Sequence, residues 1–162
     1  MGDADLLLTL IYKGGKIMAS NAVVGVGTIF QRWDGAAWAA IAEINSIQGP
    51  GMSRDTVDVT SLDSTGGYRE YKGGFRNPGT VQLSMNYTRQ TYDLFKADFE
   101  SNVLGNYRIV LPDAETTIVE FEGLVTELPL DIPTDDKITA NVTIQVSGSV
   151  ETDSGASAGL GM

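Results

Sequence analysis

The residue types that carry most hydrolytic and redox chemistry are missing from this chain. Its 162 residues include no His and no Cys. That removes disulfides, thiol nucleophiles, the common zinc sites and every triad that relies on an imidazole base. Proton transfer or nucleophilic attack would fall to carboxylate pairs, lysines or hydroxyls. Glu120 and Glu122 stand two apart in a strand-like run and so share a face. Glycosidase carboxyls flank the sugar from opposite sides, however, so this pair reads as a solvated face. Asp131, Asp135 and Asp136 lack the ligand order of a calcium loop and read as a solvated turn. Gly25-Val26-Gly27 has no third glycine, and no Lys-Ser/Thr pair follows a glycine run, so nucleotide binding has no support. No catalytic residue, metal or cofactor is expected. Asn86-Tyr87-Thr88 and Asn141-Val142-Thr143 match the glycosylation sequon but fall within strand-like runs of a chain with no secretory signal.

Charge narrows the partners. Acids outnumber bases 21 to 11, for a net charge of -10. Tight phosphate neutralisation needs clustered Lys and Arg, so sequence-specific nucleic-acid binding is not expected. The excess lies at one end. Residues 111–162 hold Asp113, Glu115, Glu120, Glu122, Glu127, Asp131, Asp135, Asp136, Glu151 and Asp153 against Lys137 alone. These acids form either a solubilising face or a surface that repels anions. A hydrophobic content of 42% is too high for a disordered chain. The longest apolar runs fall far short of the ~20 residues that span a bilayer, so no membrane partner is expected. The length suits one domain.

The elements that would position these groups are mostly strands. Apolar residues alternate with polar ones from Gly27 onward. Thr28–Trp33 and Trp38–Ile47 flank Asp34-Gly35, a hairpin signal because both residues tolerate positive φ; the two tryptophans should face each other or the core. Gly49-Pro50-Gly51 breaks the second strand. Residues 49–79 are long for a connection and only weakly patterned, with short strands expected at 56–62 and 68–72. Asp55, Asp58, Asp63, Tyr68, Arg69, Tyr71, Phe75 and Arg76 there are candidate contacts to a partner, since Tyr, Phe and Arg are enriched at interfaces. Val81, Leu83 and Met85 mark a strand with one dry face. Thr88 can cap a helix over about residues 89–104, with Tyr92, Phe95 and Phe99 along one stripe and Gly105-Asn106 as its stop. Strands follow at 107–111, 117–128 and 137–150. The apolar phase of the second shifts around Gly123, from Val119 and Phe121 to Leu124 and Leu128, which suggests a bulge or bend there.

The order of these pieces is familiar. RWDGAAW, then GPGMSRDTVDVTSLDS, then YRIVLPD and ELPLDIPTDDKITANVTIQVSG resemble the tail tube (major tail) proteins of lambda-type, non-contractile long-tailed bacteriophages, over roughly residues 19–150. The resemblance implies a mainly β, sandwich- or barrel-like subunit with a flanking helix. It further implies hexameric rings stacked into a hollow tube for the genome, with the long loop reaching a neighbouring ring and with tape measure, tail tip and terminator proteins as partners. The protein would reside in the virion tail, after assembly in the host cytoplasm. Three features agree with it: no catalytic apparatus, strand edges that a ring could join, and an acidic balance that would keep DNA from adhering to a lumen. Glu120, Glu122, Glu127, Asp131, Asp135 and Asp136 are the candidate lumen or surface acids. The competing reading is a carbohydrate- or peptide-binding sandwich module, with Trp33, Trp38, Tyr68 and Tyr71 as stacking residues. Residues 1–17 lie outside the resemblance. Lys13-Gly14-Gly15-Lys16 could be a translated ribosome-binding sequence, with Met18 the native start. The domain is expected over 18–151, and 152–162 as a flexible, glycine-rich tail.

Overall fold

The computed structural model describes residues 22–155, so the expectations about the first 17 residues and about residues 156–162 lie outside the described residues. Among the described residues, ten strands and one α-helix follow one another, with a 3-10 turn at Thr65–Gly67: β1 (Ile29–Trp33), β2 (Trp38–Ala40), β3 (Ile44–Gln48), β4 (Ser53–Asp58), β5 (Tyr71–Asn77), β6 (Thr80–Asn86), α1 (Arg89–Glu100), β7 (Gly105–Val110), β8 (Ile118–Glu127), β9 (Leu130–Asp131) and β10 (Thr139–Asp153). All pairings are antiparallel, and the main sheet runs β2-β1-β7-β8-β10-β6-β3, with β9 also on β10.

That order forces the sheet to curl. In a flat sheet the six steps from β2 to β3 would separate these strands by roughly 29 Å. Yet only Ile41–Glu43 join them, a link that spans at most ~14 Å. The link bridges the two layers directly: the Ile41 amide donates to the Phe30 carbonyl at 2.9 Å, and the Asn86 amide donates to the Glu43 carbonyl at 2.8 Å. Glu43 takes a left-handed φ of 63° to make this corner. The run expected as one strand, 38–47, is therefore two strands on opposite edges.

The core lies inside the curl. Phe30, Tyr107 and Phe121 stack with ring centroids 5.8–6.4 Å apart, and Phe95 of α1 closes on Phe30 at 6.4 Å. The expected alternations hold: Val81, Leu83 and Met85 of β6 and Ala140, Val142, Ile144 and Val146 of β10 are buried. The helix starts as expected, with the Thr88 hydroxyl accepting from the Thr91 amide at 3.3 Å. It ends four residues early. Ser101 turns extended at ψ 140° while its amide still bonds the Ala97 carbonyl, and Gly105 already belongs to β7. Of the aromatic stripe, Phe95 is buried and Tyr92 packs at the core's edge, but Phe99 faces solvent. Asp98 beside it instead turns inward to Arg32 and the Tyr107 hydroxyl.

No phase shift occurs at Gly123. Phe121, Gly123 and Val125 face the core together and Leu124 faces out. The irregularities sit at Thr126, which adds a residue to β8 between Val125 and Glu127, and at Gly148–Val150, where β10 bulges between Ser147 and Glu151. Gly123 is glycine for space, since a Cβ there would lie 2.6 Å from both the Gln145 carbonyl oxygen and Ile144 Cγ2. Gly123→Ala is expected to cost about 1–3 kcal/mol by forcing β8 and β10 apart; urea denaturation measures it, and an unchanged midpoint would refute the packing argument. β10 also continues to Asp153, with Thr152 opposite Val119 and Asp153 opposite Ile118. The expected tail at 152 thus begins with two strand residues, because β8 offers them a ladder.

Candidate functional site

Among the described residues, strands β4 and β5 pair only with each other and form a separate two-stranded sheet. Their register differs from the expected segments. The Asp58 carboxylate accepts from the Thr60 amide at 2.9 Å, which turns the chain and ends β4 at residue 58. β5 then runs from 71 to 77 rather than 68 to 72. A lone hairpin is marginal in water, and in this one every β4 side chain and nearly every β5 side chain is exposed.

The expected contact residues distribute along this hairpin. Phe75 is 90% exposed and Tyr68 78%, with Tyr71 also in solvent. Asp55 projects from β4, Asp58 sits at its end 3.7 Å from the Arg69 guanidinium, and Asp63 lies in the tip loop. Arg76 stands directly opposite Arg54. Sequence reasoning missed Arg54, Met52, Val57 and Leu62, all exposed on the same projection. Their residue types alone were a weak signal, because single exposed apolar residues are common; only their gathering on one free hairpin makes them conspicuous.

The acids fall into two groups. Glu120 and Glu122 do share the outer face of β8, flanking the inward Phe121. Glu120 lies 3.6 Å from the Arg108 guanidinium, and Glu151 of β10 stands opposite it across the strands. Glu127 ends β8 opposite Thr143. Asp131 follows in β9, and Asp135 and Asp136 occupy the exposed turn before β10. The structure therefore does not bring these three together with Glu120 and Glu122.

The tryptophans face each other edge-on with centroids 5.4 Å apart. The Arg108 guanidinium lies 4.4 Å from the Trp38 ring, and its Nε donates to Gln31 Oε1. That face of Trp38 is thus already covered by a cation.

Among the described residues, three carboxylates are held below the usual range by hydrogen bonds. Asp34 accepts from the Ala37 and Ala36 amides, Asp58 from the Thr60 hydroxyl and amide, and Asp113 from the Thr117 hydroxyl and amide. Lowered folded values mean stability that is present above pH ~4 and lost as pH falls through them. Asp113→Asn should therefore lower the thermal midpoint at pH 7 and weaken its fall between pH 5 and 3; a slope identical to the parent's would contradict this.

Residues 25–152 match the family model described as lambda phage tail tube protein, TTP. The chain belongs to that family. Solved tail structures share the fold. The tail of an empty gene transfer agent particle, with C6 symmetry, is 20% identical, covers 82% of this chain and 100% of its own, and superposes with a TM-score of 0.70. The virion of a native gene transfer agent particle gives the same identity and coverage with a TM-score of 0.68. The SPP1 tail tube is 9% identical over 82% of this chain and 80% of its own, with a TM-score of 0.61. A search of curated protein sequences returned no match. This tail tube protein is a structural component of a phage-type virion tail, and the sugar- or peptide-binding module is not favoured.

Proposed function

We propose that six copies of the tail tube protein join into a ring, that rings stack head to tail, and that DNA passes through the lumen without specific binding. The observation that carries this is the β4–β5 hairpin, a projection whose apolar and aromatic side chains find no cover among the described residues. Exposed apolar residues gathered on one projection mark a protein–protein surface. Support for the ring comes from the C6 symmetry of the gene transfer agent tail. The chain performs no catalytic step. Subunits fold in the host cytoplasm and meet tape measure, tip and terminator proteins as the tail grows. The outer face of β8 and β10, with Glu122, Glu127 and Glu151, is assigned to the lumen, where an anionic wall weakens adhesion of phosphates.

Negative-stain electron microscopy of concentrated protein tests the assembly, with hollow rings or tubes as the expected result. Monomers at every concentration, with or without tail tip proteins, would refute it. Reversing Glu122, Glu127 and Glu151 to Lys should leave tubes intact but slow DNA delivery. Delivery at the parent's rate would place these acids outside the lumen.

A further inference from the structure

The geometry points to the far side of the stacking contact: the cleft at the base of the hairpin receives the acidic turn 131–137 of a second copy. The inference rests on the tube reading and names where its subunits meet. Arg54 and Arg76 face each other directly across β4 and β5. Like charges so placed destabilise a strand pair. Neither guanidinium has an ion-pair or hydrogen-bond partner among the described residues, in a chain with 21 acids. Arg54 lies flat over Gly73, where any Cβ would collide with its guanidinium. The two arginines line a cleft of about 370 Å³ whose apolar lining includes Met52, Pro78 and Val150. The site is thus built for anions carried on an apolar segment.

Among the described residues, the turn 131–137 has that chemistry. Asp131, Asp135 and Asp136 are exposed and form no ion pair among the described residues, and Ile132 between them is 66% exposed. The segment cannot reach the cleft of its own subunit. Thr139, just after the turn, and Ser149, in the cleft wall, belong to the same strand β10. Ten strand residues separate them by roughly 30 Å. A contact between opposite ends of one strand, made by different copies, is heterologous, the kind of contact that a stack of rings requires.

Cross-linking and charge reversal test this. The chain has no Cys, so Ser53→Cys protein mixed with Thr134→Cys protein reads the contact cleanly, with Ser53→Cys plus Gln90→Cys as the control pair. Heterodimeric disulfides forming well above the control are expected, and formation at the control rate would overturn the assignment. Arg54→Glu/Arg76→Glu protein should keep its thermal midpoint but need a roughly 30-fold higher concentration to assemble. A partner carrying Asp135→Lys/Asp136→Lys should restore mixed assembly. Assembly of the arginine variant at the parent's concentration would overturn the contact while leaving the tube reading intact. Cross-links in the absence of any tube would uphold the contact and sink the tube. Fluorescence anisotropy with duplex DNA supplies the last arm: salt-dependent binding lost in the arginine variant, with normal assembly, would assign the arginines to phosphate and overturn the proposal.

Discussion

Excision of residues 53–77, with Gly-Gly joining Met52 to Pro78, is expected to leave a folded subunit that never assembles. The hairpin contributes no residue to the buried core, and its strands pair with nothing else among the described residues. Its two ends already lie together, since a Cβ on Gly79 would collide with the Gly51 carbonyl. Beyond the cut, the Val146 amide still donates to the Gly79 carbonyl at 3.0 Å and holds the splice against β10. The thermal midpoint should move by no more than about 2–4 °C, the shift of roughly 1 kcal/mol in a domain of this size. Sedimentation should show monomers at concentrations where the parent forms tubes. Tubes from the excised protein would remove the hairpin from the interface, and loss of the cooperative transition would show that it supports the fold.

Asp98→Ala is expected to produce the largest loss of stability of any single polar change. The Asp98 carboxylate accepts from Arg32 Nε at 2.6 Å, from a second Arg32 nitrogen, and from the Tyr107 hydroxyl at 2.8 Å, tying α1 to β1 and β7. The Arg32 and Asp98 side chains are only 19% and 12% exposed. Burial and the neighbouring carboxylate push the Tyr107 phenol up, so it stays a neutral donor. Removing Asp98 strands a part-buried guanidinium and a buried hydroxyl, a loss of about 3–5 kcal/mol. Asp93, five residues earlier, offers the contrast. It lies 3.6 Å from Arg89 at the helix surface, with both side chains largely in solvent, and Asp93→Asn should cost no more than about 0.5 kcal/mol. Urea unfolding of both variants measures the difference, and equal losses would show that Asp98 does not anchor the helix.

The comparison of Asp93 with Asp98 shows where sequence reading stops. Both are acids spaced along one amphipathic helix, and nothing local tells which one turns inward. That choice was made by Arg32, 66 residues away on β1. The same holds for Trp33 and Trp38. Their cross-strand pairing was legible from Asp34-Gly35, a local turn, but the cation over Trp38 comes from Arg108 on β7. In the 49–79 segment the exposed aromatic and arginine residues were legible while the strand bounds slipped, because Asp58 ends β4 with its own side chain and β5 begins only where a partner strand exists. The bulge at Gly148–Val150 left no mark in the apolar alternation, since it is a mismatch between two strands and not a property of either. The one at Thr126, between the inward Val125 and the core-packed Leu128, lies three residues from the phase shift expected at Gly123.

The sequence by itself determined most of the strand segments, where the helix after Thr88 starts, which faces are dry, and that neither imidazole nor thiol chemistry is available. These follow from side-chain periodicity and from the absence of His and Cys, both local properties. The tertiary structure alone decided that the sheet curls through Ile41–Glu43, that Arg54 and Arg76 oppose each other in a cleft, and that the acids divide between the face of β8 and a turn at the far end of β10. Each of those depends on register and strand order. Both are set by packing between residues distant in the chain, which no local pattern encodes.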